Sequence, residues 1–328
     1  MSDVILLSFL STLFPKRISI SNLKGGREFM KQIQWFPGHM TKALKEIQKN
    51  LKLVDIVLEL RDARAPLSSH NPKLRTIIGE KKHIVVLTKR DLADEKMTRK
   101  WERLFISKGY DVLVFDVHKD KIDSLVKKSE QVLAEKFARD AARGMKKRPI
   151  KAMIVGVPNV GKSTLINRIS NKKVTVVGNK PGVTKMQQWI RVHKQMELLD
   201  TPGVLWPKFE NPEFGMRLAV LGTIKDTIVP IEELAVYAIN FLKEYYPDAL
   251  LERYTTELIK VEADDDAVVI LEKITRMRGM LTKNNQIDLE HGIMLFLNEL
   301  REGILCDFTL DREFSDFEET EKKKKNEK

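Results

Sequence analysis

Gly156-Val-Pro-Asn-Val-Gly-Lys-Ser163 is the stretch on which the reading of this chain turns. It fits G-x-x-x-x-G-K-S/T without a gap. Ile150-Lys-Ala-Met-Ile-Val155, just before it, is a short apolar run that reads as a buried strand. Ser163-Thr-Leu-Ile-Asn-Arg-Ile169 has helical spacing, with Leu165, Ile166 and Ile169 on one side. Strand, glycine loop and helix together aim backbone N–H groups and the positive helix end at phosphate oxygens. Gly156, Asn159, Val160, Gly161, Lys162, Ser163 and Thr164 are the expected phosphate contacts. Lys162 would neutralise the β- and γ-phosphates, which makes it a candidate catalytic group, and the Ser163 hydroxyl would ligate Mg²⁺. The competing reading is a glycine turn that resembles the motif by chance; the flanking strand and helix speak against it.

Working outward, His83-Ile-Val-Val-Leu87 reads as another buried strand, and Thr88-Lys89-Arg90-Asp91 follows it directly. Asp91 there can accept hydrogen bonds from guanine N1–H and the 2-amino group. Adenine offers neither donor, so it would leave the carboxylate unpaired. Thr88 stands where Asn is usual, and its hydroxyl can bond either the loop or the base. Alone, T-K-x-D is a weak signal, because a Lys-Asp pair after a strand is often only a turn. Met196-Glu-Leu-Leu-Asp200 is a further strand, leading into Asp200-Thr-Pro-Gly203. Asp200 would reach Mg²⁺ through water, and the Gly203 N–H would meet the γ-phosphate. In Lys180-Pro-Gly-Val-Thr184, Thr184 is the candidate switch threonine on Mg²⁺; a Pro-Gly pair is also a common plain turn. Asp116-Val117, after the strand Val112-Leu-Val-Phe115, takes the place of the loop behind the base, where a Ser-Ala-like pair is more usual.

The order of these pieces says more than any one of them. In an ordinary GTPase the phosphate loop comes first and the base-reading loop last. Here the base-reading loop leads, so the chain resembles a circularly permuted GTPase. Gln34-Trp-Phe-Pro-Gly-His-Met40, Gln187-Gln-Trp189 and Leu199-Asp-Thr-Pro-Gly-Val-Leu-Trp-Pro207 sharpen the likeness. With the permuted order and the phosphate loop, they resemble the RbgA (YlqF) family of ribosome-biogenesis GTPases, from about Met30 to the region of Leu310. The resemblance implies a cytoplasmic bacterial GTPase that assists late maturation of the large ribosomal subunit. The expected fold is α/β, a circularly permuted Ras-like P-loop GTPase domain followed by an all-helical C-terminal domain that contacts rRNA.

In Ras-like proteins a glutamine after Asp-x-x-Gly orients the attacking water. Here Val204 and Leu205 follow, and neither can. The chain is therefore expected to hydrolyse GTP slowly alone and faster on the ribosomal subunit. His39, after a Pro-Gly turn and near the start of a helix, is the water-orienting group that the resemblance implies. The plainer alternative makes it a structural cap beside packed Trp35 and Phe36. Asn159 is the candidate ligand for K⁺, which would offset charge between the β- and γ-phosphates. It reads equally as an ordinary loop residue.

The chain has 328 residues and a formal net charge of +12, a balance that suits a polyanionic partner such as RNA. A membrane surface is the rival partner, but no segment past Met30 is long enough to span, so no stable membrane association is expected. A single cysteine, Cys306, excludes an internal disulfide.

Expected domains are an N-terminal extension over 1–29, the GTPase domain over 30–207, a helical RNA-binding domain over 208–312, and a charged disordered tail over 313–328. Lys24-Gly25-Gly26 can be encoded by a purine run like a bacterial ribosome-binding site, which would make Met30 the natural start. One helix is expected over 123–145. The charges of Arg61-Asp-Ala-Arg-Ala-Pro66 read as solvent-facing ion pairs, although the resembled family carries this pattern near the nucleotide. Ile231 to Phe241, Asp265 to Arg278 and Leu289 to Leu300 have helical spacing. Lys273, Arg276, Arg278, Lys283 and Arg301 are candidates for an RNA-facing stripe or, alternatively, an ordinary solvated face. The resembled family often has a lysine where this chain has Ile304. Two other functions compete with the assembly factor: a nucleotide-switched RNA chaperone with incidental turnover, and a GTPase acting on tRNA or a membrane partner.

Overall fold

The computed structural model describes residues 38–170, 188–206, 209, 211–315 and 317. Six strands form one sheet: β1 (Ile56–Asp62), β2 (His83–Thr88), β3 (Val112–Val114), β4 (Ile150–Gly156), β5 (Gln188–His193) and β6 (Met196–Asp200), in the order β3-β2-β1-β4-β6-β5. All pairs are parallel except the edge pair β5–β6. Parallel strands covered on both faces need apolar side chains on both, which is why they read as continuous apolar runs rather than alternating ones. β1 is buried along its whole length.

Permutation leaves this sheet intact, because pairing depends on register and not on chain order. β1 lies between β2 and β4, with Asp62 opposite Thr88 and Leu60 opposite Gly156. Thr88, Gly156 and Asp200 all end parallel strands. The base-reading loop, the phosphate loop and the Asp200 loop therefore emerge along one rim of the sheet, where open α/β folds bind ligands.

The flanking helices are α1 (Gly38–Asn50), α2 (Pro72–Ile78), α3 (Glu95–Ser107), α4 (Ile122–Val132), α5 (Ala134–Ala142) and α6 (Lys162–Ile169). The helix expected over 123–145 is divided at Leu133. The bonds Leu133 N→Ser129 O and Phe137 N→Leu133 O continue through the break, so the chain kinks there rather than turning. Leu133 itself is buried at the kink.

The C-terminal half is helical, as expected: α7 (Pro212–Val220), α8 (Ile231–Tyr245), α9 (Pro247–Tyr254), α10 (Ala267–Met277) and α11 (Leu289–Arg301). Asn211, Asp266 and Asp288 cap α7, α10 and α11 by accepting from backbone N–H groups of the first turn. Glu299 gathers Arg253, Tyr254 and Arg278 into one buried-edge cluster.

After α11 the chain returns to the GTPase half. Phe308 N donates to Leu92 O and Leu310 N to Arg64 O. Phe314 stacks on Trp101 at 4.8 Å, and buried Phe317 meets Trp101, Phe105 and Tyr110. At the start of the tail expected to be disordered over 313–328, Phe314 and Phe317 anchor on Trp101 and Phe105 of α3 and on Tyr110 just after it, because these rings offer an apolar seat. Residues 1–29 and 318–328, and with them the expected extension and the rest of the tail, lie outside the described residues.

Candidate functional site

The phosphate loop folds tightly against its neighbours. A Cβ on Gly156 would sit 2.6 Å from Leu60 O, and one on Gly203 would sit 2.7 Å from Pro158 Cα and 3.0 Å from Lys162 Nζ. Gly203 thus brings the Asp200 loop onto the phosphate loop, a contact that any side chain would block. Val204 N donates to Gly156 O at 3.1 Å, and Val204 is fully buried. Lys162, at the start of α6, donates to Gly156 O at 3.1 Å and Val157 O at 2.7 Å. Burial lowers its pKa to about 8, against the opposing pull of Asp200.

Asp200 is fully buried, and neither carboxylate oxygen has a hydrogen-bond partner among the described residues. Burial raises its pKa to about 6 although Lys162 favours the charged form. A buried carboxylate left in this condition suits a cation or metal-bound water. With Ser163 one residue into α6, the donor set of one hydroxyl and one carboxylate fits Mg²⁺ bound chiefly by nucleotide phosphates. Thr184 and the side chain of His39 lie outside the described residues; His39 belongs to the first turn of α1.

The base-reading loop is divided in its duties. Thr88 is fully buried; its Oγ1 lies 2.6 Å from Val160 O and 3.1 Å from Arg61 O. Its hydroxyl ties this loop to the phosphate loop. Lys89 takes a left-handed backbone (φ 56°), and its Nζ lies 3.1 Å from Asp62. Arg90 and Asp91 open a short 3-10 turn and are exposed, so Asp91 is the carboxylate of this motif open to a ligand. Asp116 and Val117 are buried, and Asp116 Oδ1 accepts from His118 N and Lys119 N. Its carboxylate shapes its own loop instead of reaching outward.

The charges of residues 59–70 are the main surprise. Glu59, Arg61, Asp62, Arg64 and His70 are all buried. Glu59 binds Arg61 at 2.9 and 3.1 Å and His70 at 2.8 Å. Asp62 binds Arg64 through both oxygens and also pairs with Lys89. Arg64 then donates to Arg301 O at 2.8 Å, at the end of α11. The expectation of solvent-facing pairs is overturned because α11 and the returning chain cover the loop. Alternation along β1 does put Glu59 and Arg61 on one face, which is a sequence sign of the pair.

Arg301 is likewise not an RNA-facing residue. Its guanidinium grips Asp226 and donates to Val220 O and Ala219 O, at the end of α7. Lys273 pairs with Asp265 and Arg278 with Glu299, and Arg276, Arg278 and Lys283 are exposed. Beside Arg301, the Asn159 side chain donates to Gly222 O at 2.6 Å.

One node had no sequence signal at all. Asp311, fully buried, accepts from Leu67 N at 2.7 Å, Ser68 N at 2.8 Å, Ser68 Oγ at 2.5 Å and Arg217 Nη1 at 2.9 Å. Its carbonyl accepts from Trp101 Nε1 at 2.9 Å.

Comparison with known proteins agrees with this geometry. A family model described as 50S ribosome-binding GTPase matches residues 151–273. The match opens in β4 and leaves out β2 and its loop, as a permuted order requires. Ribosome biogenesis GTPase A of Priestia megaterium is 47% identical over 281 residues, covering 85% of this chain and 96% of that protein. The chain belongs to the ribosome biogenesis GTPase A family. The Bacillus cereus member is 45% identical over 85% of this chain and 93% of its own length. The crystal structure of GNP-bound YlqF from T. maritima is 27% identical, with a TM-score of 0.62, covering 83% of this chain and 98% of that one. As a ribosome biogenesis GTPase A family member, the protein is a GTPase of permuted Ras-like fold. No helix among the described residues is long and apolar enough to cross a membrane.

Proposed function

We propose that this protein is a cytoplasmic, GTP-hydrolysing assembly factor that binds the immature large ribosomal subunit and leaves it on hydrolysis. The observation that carries this reading is the bond from Asn159, in the phosphate loop, to Gly222 of the helical half. Through it, a change at the phosphates has a direct route to the helical half. The family's name and the net charge of +12 point the helical half toward ribosomal RNA.

In this reading Asp91 selects guanine, and the backbone of residues 156–164 holds the phosphates. Lys162 leaves its loop carbonyls for the β- and γ-phosphates. Ser163, Asp200 and Thr184 hold Mg²⁺, which supplies charge neutralisation. Asn159 offers its oxygen to K⁺. His39 orients the attacking water, because buried Val204 has no polar atom on its side chain to do so. Turnover is slow in the free protein and rises on the subunit, when His39 is brought into place.

Sedimentation with large subunits tests the proposal in the presence of a non-hydrolysable GTP analogue, GDP or no nucleotide. GTP-analogue-dependent, salt-sensitive pelleting is expected. Equal pelleting in all three states, or none, refutes it even if GTP binding stands. GTP turnover with and without large subunits provides the second readout.

A further inference from the structure

We infer that the GTPase half carries its own single-stranded RNA contact, at the edge of the sheet, built on Trp189 and the cations around it. This inference rests on the reading of the protein as a ribosome assembly factor. It places the contact away from the helical half, where RNA contacts are otherwise expected.

Trp189 lies on β5, the edge strand, and is 42% exposed, unusual for so large an apolar ring on a sheet. The other face of β5 is occupied: Ile190 and Val192 are buried. Lys151 Nζ sits 5.2 Å from the Trp189 ring centroid. The register Lys151–Glu197–Arg191 runs across β4, β6 and β5, so these three side chains share one face with Trp189. Arg191 and Lys194 are exposed.

The basic link before β4 continues the patch. Ile150 N donates to Gln195 O at 2.8 Å, and Glu130 accepts from both Lys147 at 3.2 Å and Gln195 at 3.4 Å. Lys146 and Lys147 are exposed alongside the β5–β6 turn. The carboxylates of Glu197, Glu130 and Asp55 lie within the group, and Asp55 is already occupied by Arg148 and Lys136. The cations outnumber them.

An exposed aromatic ring with Lys151 against it and Arg191 on the same face is matched by a partner with both π-faces and phosphates. Single-stranded RNA has both; duplex RNA keeps its base faces stacked, and an acidic peptide lacks the faces. In sequence, Trp189 stands five residues after Thr184, the proposed switch threonine.

The test uses the full chain and a short fluorescein-labelled single-stranded RNA, read by anisotropy, beside sedimentation with large subunits. Trp189→Ala is expected to weaken oligonucleotide binding by about tenfold, and Trp189→Phe to hold it within roughly twofold, because stacking survives. Arg191→Glu with Lys194→Glu should lower affinity and flatten the salt dependence. Binding of a fluorescent GTP analogue, unchanged in all variants, reports that they fold. Unaltered RNA affinity in Trp189→Ala overturns the inference, whether or not the wild type pellets with subunits. Unaltered RNA affinity with weakened subunit binding also overturns it, and assigns the patch to a protein partner. A Trp189-dependent RNA affinity without any subunit binding supports the patch and defeats the assembly reading instead.

Discussion

The side-chain amide of Asn159 donates to the Gly222 carbonyl at 2.6 Å, joining the phosphate loop to the end of α7. Asn159 has a left-handed backbone (φ 57°), uncommon outside glycine, and Gly222 (φ 70°) takes the same conformation with the freedom of a residue without Cβ. Arg301 secures the same corner through Ala219 O and Val220 O, and its own carbonyl takes Arg64. Arg64 leads back through Asp62 to Lys89. The helical half is thus tied to both ends of the nucleotide site.

An amide ligates a cation through oxygen, and Asn159 gives Gly222 its nitrogen. The bond uses the nitrogen and not the oxygen through which the proposed K⁺ contact would be made. K⁺ is expected to accelerate hydrolysis over Na⁺ at matched ionic strength, and Asn159→Ala to erase the difference. Equal rates in the two salts for the wild type remove Asn159 from the mechanism.

Asp91 is exposed whereas Thr88 is buried and bonded to the phosphate loop. Asp91→Asn swaps an acceptor for a donor. GTP affinity should fall by at least about tenfold, and xanthosine nucleotides should gain, as a competition assay with both would show. Equal binding of ATP and GTP by the wild type sinks the assignment of the Thr88-to-Asp91 loop.

Proton linkage should change sign with pH. In the free protein burial holds Asp200 near pKa 6 and Lys162 near 8. Mg²⁺ requires the carboxylate ionised, so binding of Mg²⁺ and a GTP analogue at mildly acidic pH drives off protons from Asp200. A triphosphate requires the ammonium, so at mildly alkaline pH Lys162 takes up protons. Calorimetry in buffers of different ionisation enthalpy reads both. Asp200→Asn should diminish the release at pH 6; a release unchanged from the wild type means that Asp200 is not its source.

Removing Asp311 takes from buried Arg217 the nearer of its two carboxylates, leaving Glu213 at 3.9 Å, and leaves the Leu67 and Ser68 N–H groups without their acceptor. Asp311→Ala is expected to cost about 3–5 kcal/mol in urea denaturation, and Asp311→Asn less, because an acceptor remains. A wild-type midpoint for Asp311→Ala would mean the returning chain contributes nothing to stability.

His39→Ala should bind GTP normally and lower subunit-stimulated turnover by on the order of a hundredfold, the loss typical of a positioned general base or water-orienting group. Normal stimulated turnover would return His39 to a structural role.

The loops of the site and their order were legible in the sequence because each is a local unit. A strand feeding a glycine loop and a helix constrains its residues within a dozen positions, and apolar runs mark strands covered on both sides. Gly156, Lys162, Asp91 and Asp200 accordingly stand on one rim of the sheet. The fate of the charges was not legible. Arg301 looks no different from Arg276 in sequence, yet the first is locked onto α7 and Asp226 and the second is exposed. Asp311 meets Leu67 across a separation of 244 residues. Whether a charged side chain faces water or a buried partner depends on which carboxylate, guanidinium or carbonyl another element delivers to it. Packing makes that delivery, and only the tertiary structure decided it.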